Sequence, residues 1–157
     1  MDQTEQFIES LDGSITLALQ LETILLDETC AIEARDPSEL QTIVAQKQSA
    51  SAQLERDTQR QARQITAAGY PFTPEGVADF INALDEADYV ADLWRELQDI
   101  VWRCRQLNDA NAQSIERRRD QVTRSLALLL GQETITTYHA DGRRDLELNT
   151  NHITRSV

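Results

Sequence analysis

Glycine and proline are scarce in this chain, with five glycines and three prolines among 157 residues. Because these two residue types interrupt regular structure most often, their scarcity favours long helices over a fold with many turns. No apolar run approaches the ~20 residues that a membrane-spanning helix requires, and the first residues lack the basic region of a signal peptide. The sequence therefore predicts an all-α, cytoplasmic protein without membrane insertion.

Residues that carry catalysis or hold metal ions are also few. The two cysteines, Cys30 and Cys104, have no close spacing, and the two histidines, His139 and His152, have no cysteine or carboxylate at ligand spacing. The chain contains no glycine-rich phosphate loop and no nucleophile elbow. We expect buried, reduced thiols, no catalytic residue, no metal and no cofactor, and thus a protein that is not an enzyme.

Basic residues are outnumbered, 15 against 27 acidic ones, so the net charge is -12. This charge opposes binding to nucleic acid and to anionic membranes and favours a protein partner. Residues 101–131 depart from the rest, with six arginines and three acids. Arg117, Arg118 and Arg119 suggest a phosphate site, but consecutive helical residues point in different directions, so a solvated helix face is the better interpretation. A nucleic-acid site there would show salt-dependent affinity.

What the sequence does contain is an apolar pattern that recurs every three or four residues from Asp88 to Leu130. A helix of this length spans about 65 Å, too long to be buried by itself in a domain of this size. We expect its first half to form a structural core through Trp94, Leu97 and Val101. Asn108 and Asn111 then interrupt the stripe, either to fix helix register or partner choice or because they face water at its edge.

The remainder predicts an elongated antiparallel helical bundle. A long hairpin over residues 4–68 turns at Asp36-Pro37, where Asp36 suits a helix cap and Pro37 a first helical position. A short helix over 74–85 follows the break at Gly69 to Pro74, and the long helix over 88–130 completes a single domain over 1–131. Residues 132–157 have few apolar side chains and are expected to be a flexible C-terminal tail.

Several of these features occur in an order that resembles the FlgN-type flagellar export chaperones. They are Trp94 and Leu97, Cys104, Asn108 and Asn111, the run from Leu126 to Leu130 with Gly131, Tyr138 followed by Gly142, and an earlier turn at Ala34-Arg35-Asp36. The resemblance covers nearly the whole chain. It departs from the family where Ala112 and His139 stand at positions that often hold glycine.

The resemblance implies a chaperone of type III protein export. Its partners would be hook-associated flagellar proteins, bound through their terminal helical segments, and the flagellar export gate. The family's client-binding region maps onto the later half of the long helix, and its export-gate docking position onto Tyr138. Within that half we expect the client-binding residues to be Asn108, Asn111, Ile115, Val122, Leu126, Leu129 and Leu130.

Two interpretations of the leucine-rich end remain open from the residues alone. It either closes the bundle's own core or accepts an amphipathic client segment. A homodimer is compatible with such a surface. The rival from another class is a structural coiled-coil protein that self-assembles through the same stripe without a client.

Overall fold

A computed structural model describes residues 2–130 of the protein and, for the backbone alone, residues 133–138 and 144–149. The helices are α1 (Gln3–Ala34), α2 (Pro37–Ala67), α3 (Pro74–Asn82) and α4 (Ala87–Leu129). The prediction of an all-α bundle with a very long C-terminal helix is confirmed. The short helix ends three residues earlier than expected, and a turn at Glu86, whose φ is 58°, precedes α4.

Helix starts follow the capping chemistry of the sequence. The Asp2 carboxylate accepts the Glu5 amide at 2.8 Å while the Glu5 side chain accepts the Asp2 amide at 3.0 Å, which forms a capping box. Asp36 caps α2 through the Glu39 amide, and Thr73 caps α3. Each of these caps satisfies a backbone donor that the helix cannot pair itself and contributes about 1 kcal/mol.

The core forms around α1. Its buried stripe recurs at helical spacing and meets the buried face of α4 and the short helix α3, which supplies Phe80 in an edge contact with Phe7 at 5.0 Å. Helix α2 contributes only two buried aliphatic residues, Ile43 and Ile65. A buried side-chain amide adds a polar contact between α1 and α2, because Gln61 Nε2 donates a hydrogen bond to Ser14 Oγ at 2.9 Å. Helices α1 and α2 are thus joined by polar as well as apolar contacts.

One glycine is required by close packing. A Cβ atom on Gly76 would lie 2.0 Å from the backbone oxygen of Pro71, so the loop before α3 can fold onto the helix only where no side chain intervenes. In contrast, Gly13 has open space around its Cα within α1. Gly76 therefore fixes the approach of the loop, whereas Gly13 has no comparable role.

The chain divides into two compact units, Met1–Ala112 and Gln113–Val157. The single domain expected over residues 1–131 remains a prediction. In the second unit, β1 (Glu133–Tyr138) pairs antiparallel with β2 (Arg144–Asn149), with Tyr138 opposite Arg144. The sequence analysis did not predict these strands. A two-stranded hairpin is only marginally stable by itself, and the flexibility expected for residues 132–157 remains a prediction.

Candidate partner-binding surface

The first half of α4 supplies the spine of the first unit. Leu97 is buried in the core, and Trp94 is half-buried with its ring stacked on Phe7 at 6.4 Å. Val101 is a correction to the predicted core because it is 39% exposed. The buried face of α4 passes through Ile100, and a neighbouring residue lies about 100° around the helix, which leaves Val101 at the edge of that face.

Asn111 ends the buried face of α4 within the first unit. Its amide nitrogen donates to the Leu25 carbonyl at 3.0 Å and to Glu28 Oε1 at 2.9 Å, while its oxygen accepts from Thr29 Oγ1 at 2.8 Å. Asn111 is 3% exposed. This is a second correction, because a side chain so enclosed is not part of an accessible binding surface. These bonds form only in one register of α4 against α1, which favours the register interpretation.

A buried ion pair completes this network. The Glu28 carboxylate is wholly buried, and Lys47 on α2 donates to its Oε2 at 2.7 Å and to Asn108 Oδ1 at 3.2 Å. Asn108 itself is exposed. The network of Glu28, Thr29, Lys47, Asn108 and Asn111 therefore links α1, α2 and α4. Sequence reasoning missed Glu28, although its position three residues after Leu25 places it on the apolar stripe of α1.

The part of α4 in the second unit has a different character. Among residues 113–130 the only buried one is Ala127, and the large apolar side chains are exposed. Leu126 is 53% and Leu129 is 83% exposed. They share a face with Ile115 and Val122 because the four residues are separated by seven, four and three positions. Leu130, which belongs to the predicted client-binding set, is exposed as well, and so is Leu128, which does not belong to it.

Polar interactions flank the core of the first unit. Arg103 donates to both carboxylate oxygens of Glu22, at 2.6 and 3.2 Å. This hydrogen bonding lowers the pKa of Glu22 and raises the pKa of Arg103.

Burial raises the pKa of the Cys104 thiol. Cys30 is exposed, so the expectation of buried thiols is wrong for that residue.

The described residues offer no centre for metal chemistry. Among them, no group of three or more histidine, cysteine, aspartate or glutamate side chains is placed to hold a metal ion. The same residues include no helix long and apolar enough to cross a membrane.

Tyr138 is the last residue of β1, but its side chain, like His139 and His152, lies outside the described residues. Its predicted docking role is untested.

Comparisons with known proteins agree with this architecture. A crystal structure of a flagella synthesis protein FlgN from Pseudomonas aeruginosa is similar to the chain, with a TM-score of 0.67 and 26% sequence identity over 73% of this chain and 90% of that one. No curated protein matches the chain. The family model described as FlgN protein matches residues 1–145. The chain therefore belongs to the FlgN protein family.

Proposed function

We propose that this protein acts in flagellar assembly as a cytoplasmic type III export chaperone. It binds the terminal helical segments of hook-associated flagellar proteins, prevents their premature assembly and helps to deliver them to the export gate. The proposal is supported by membership of the FlgN family and by the similarity to a flagella synthesis protein. The observation that carries client binding is the exposed apolar face of α4, defined by Ile115, Val122, Leu126, Leu129 and Leu130.

The energetics of this apolar face are sufficient for binding a disordered client. Burying one such side chain is worth about 1.5–3 kcal/mol. Several of them offset the cost of ordering a disordered segment, which is of order 2–5 kcal/mol or more. An amphipathic client helix would present its apolar residues at the same helical spacing. Binding withdraws the free client from association by mass action.

A charge placed in the apolar face tests client binding. The double variant Leu126→Asp plus Leu129→Asp should lose hook-associated proteins in a pull-down, because a buried carboxylate without a partner is strongly unfavourable. The matched control places the same two changes at Leu19 and Leu26, which are exposed leucines of α1 in the other unit. That control should retain its clients. Unchanged binding by a folded Leu126/Leu129 variant would refute the proposal.

The exposed apolar face equally suits self-association, so a self-assembling coiled-coil protein is the second candidate function. Light scattering of the purified chain distinguishes the two. A stable higher oligomer that takes up no client supports the structural protein, whereas a monomer or dimer that forms a defined complex with a hook-associated protein supports the chaperone.

Delivery to the export gate is assigned to Tyr138 on the resemblance to the family. The variant Tyr138→Ala should still bind hook-associated proteins in a pull-down while their secretion falls. Normal secretion by this variant would remove Tyr138 from the proposal but leave client binding in place.

A further inference from the structure

An open groove lies between α2 and α4 within the first unit, apart from the apolar face of residues 115–130. It encloses about 560 Å³. Its floor is made by Leu21 and Leu25 of α1 and by Cys104 of α4, all of them buried side chains. The walls are exposed residues of α2 and α4. The groove therefore has an apolar floor and a polar rim, the combination that binding clefts in proteins show.

The sequence of α2 explains why the groove is open. Gln48, Ser51, Ala52 and Glu55 line it, and their spacing of three, one and three residues places them on one helix face. A helix that filled this space would carry leucine or isoleucine at such positions. Here two of the four side chains are small and the other two are polar, so α2 leaves an open groove above the floor.

The opposite wall has the same periodicity. Val101, Arg105 and Asn108 of α4 line the groove with Cys104, again at the spacing of one helix face. In a four-helix bundle, each helix packs against an apolar surface that its neighbouring helices provide. The groove offers the same surroundings, because α2 and α4 form its walls and α1 contributes to its floor. The lining residues of α2 extend over nine positions, from Lys47 to Glu55, which correspond to about 12 Å or slightly more than two turns. The groove thus matches the apolar side chains of two successive turns of an added helix.

Charge narrows the identity of that helix. Arg105 is exposed on the α4 wall and forms no ion pair with any residue that the structure describes. Lys47, at the end of the groove, is engaged by Glu28, and Glu55 stands on the α2 wall. A carboxylate on the occupant is therefore favoured beside α4 and disfavoured beside α2. A second copy of this chain is a poor occupant because two whole chains of net charge -12 repel each other, whereas a carboxylate on a short helix responds mainly to the nearby charge of Arg105, since salt screens the distant charges.

We propose that this groove binds an amphipathic helix of a partner protein that carries carboxylates along the edge facing α4. The apolar stripe of the occupant lies in the groove above Leu21, Leu25 and Cys104, and a carboxylate pairs with Arg105. The surface shares only Asn108 with the predicted client-binding residues. It therefore requires neither the leucine-rich end of α4 nor a flagellar client.

Two designed peptides test the occupant against the full-length protein by fluorescence anisotropy. Each is a labelled helix of about 18 residues, or five turns, with leucines at helical spacing and either glutamates or lysines along one edge. The glutamate peptide should bind more tightly than the lysine peptide. Ser51→Trp should weaken binding by about tenfold or more, since an indole occupies the space of an apolar anchor. Ser49→Trp, on an exposed position outside the groove, should leave the affinity unchanged.

Arg105→Glu separates charge recognition from the shape of the groove. Because an exposed pair contributes up to about 1 kcal/mol, this variant should weaken the glutamate peptide by roughly fivefold and strengthen the lysine peptide. Arg60→Glu, an exposed charge reversal on α2 outside the groove lining, should change neither peptide. Arg105 is on the surface, so its replacement should not impair folding, and circular dichroism verifies this.

The proposal fails if the peptides bind Arg105→Glu and the unaltered protein with the same preference, or if neither peptide binds. It also fails if sedimentation shows a dimer that Ser51→Trp dissociates, because a second copy would then occupy the groove. Loss of the leucine-rich face through Leu126→Asp plus Leu129→Asp should leave peptide binding intact. This variant therefore shows whether the peptides bind the groove independently of the surface that is proposed to bind clients.

Discussion

The buried Glu28 carboxylate depends on Lys47 for its opposite charge, so replacing Lys47 by methionine should destabilise the first unit. Breaking a fully buried ion pair from one side costs about 3–5 kcal/mol. The Lys47 side chain retains 23% of its exposure, which reduces the attraction through solvent screening. Asn111 also remains as a donor to Glu28. We expect a loss of about 2–3 kcal/mol in the free energy of unfolding.

Urea unfolding followed by circular dichroism measures this loss. With a slope of about 2 kcal/mol per molar urea, the midpoint should fall by about 1–1.5 M. The matched control is Arg95→Met, which breaks the ion pair with Asp92 on the surface of α4, where both side chains are about 70% exposed. That change should cost no more than about 0.5 kcal/mol. The comparison separates burial of the pair from loss of a charge.

A double-mutant cycle with Glu28→Gln assigns the effect to the pair itself. The glutamine still accepts a hydrogen bond from Asn111, so the single change should cost about 1–2 kcal/mol. Once Glu28 is neutral, loss of Lys47 no longer leaves a buried charge alone, and the double variant should be more stable than the sum of the two losses predicts. We expect a coupling of at least about 1 kcal/mol. Additivity within about 0.5 kcal/mol would refute this account of the network.

Two further predictions concern packing and pH. Gly76→Ala should lower the free energy of unfolding by about 2–4 kcal/mol, because the added Cβ would collide with the backbone oxygen of Pro71. Gly13→Ala has open space and should raise that free energy by about 0.5–1 kcal/mol. Thermal unfolding compares the two variants, and equal effects would contradict the packing argument. The pKa of Glu22 is lowered by Arg103, so this pair should stabilise the protein above the ordinary carboxyl pKa and lose that effect as pH falls through the lowered value. Arg103→Gln should remove the part of the unfolding free energy that is lost at acidic pH. If the unfolding free energy of this variant has the same pH dependence as that of the unaltered protein, the stabilising role of the Glu22–Arg103 pair is refuted.

The helical framework was predictable because the signals that define it are local. Asp2, Asp36 and Thr73 each precede an apolar pattern, and each side chain accepts a hydrogen bond from an amide in the first turn of its helix. Helix boundaries agree within a few residues for the same reason. A helix cap depends only on residues next to each other in the sequence and not on which other helix packs nearby.

The corrections at Asn111 and Val101, and the missed Glu28, depend on contacts between distant parts of the chain. Asn111 and Val101 both lie beside the apolar stripe in sequence, and only the placement of α1 and α2 decides that the asparagine is buried and the valine exposed. Glu28 needed a partner 19 residues away on the next helix. The strands had a local signal that the sequence analysis did not use, in the β-branched run from Thr134 to Thr137 followed by Asp141-Gly142, a pair common in hairpin turns.

These corrections sharpen the contrast between the two parts of α4. Up to Asn111, one side of the helix is covered by α1 and α3, and the polar network makes a shift of register costly because Glu28 would lose its partners. Beyond Asn111, Leu126 and Leu129 remain in contact with water, which sacrifices burial worth about 1.5–3 kcal/mol each. A surface with this cost is typical of an interaction site. Under the proposed function, a fixed first half allows the second half to bind a partner without weakening the bundle.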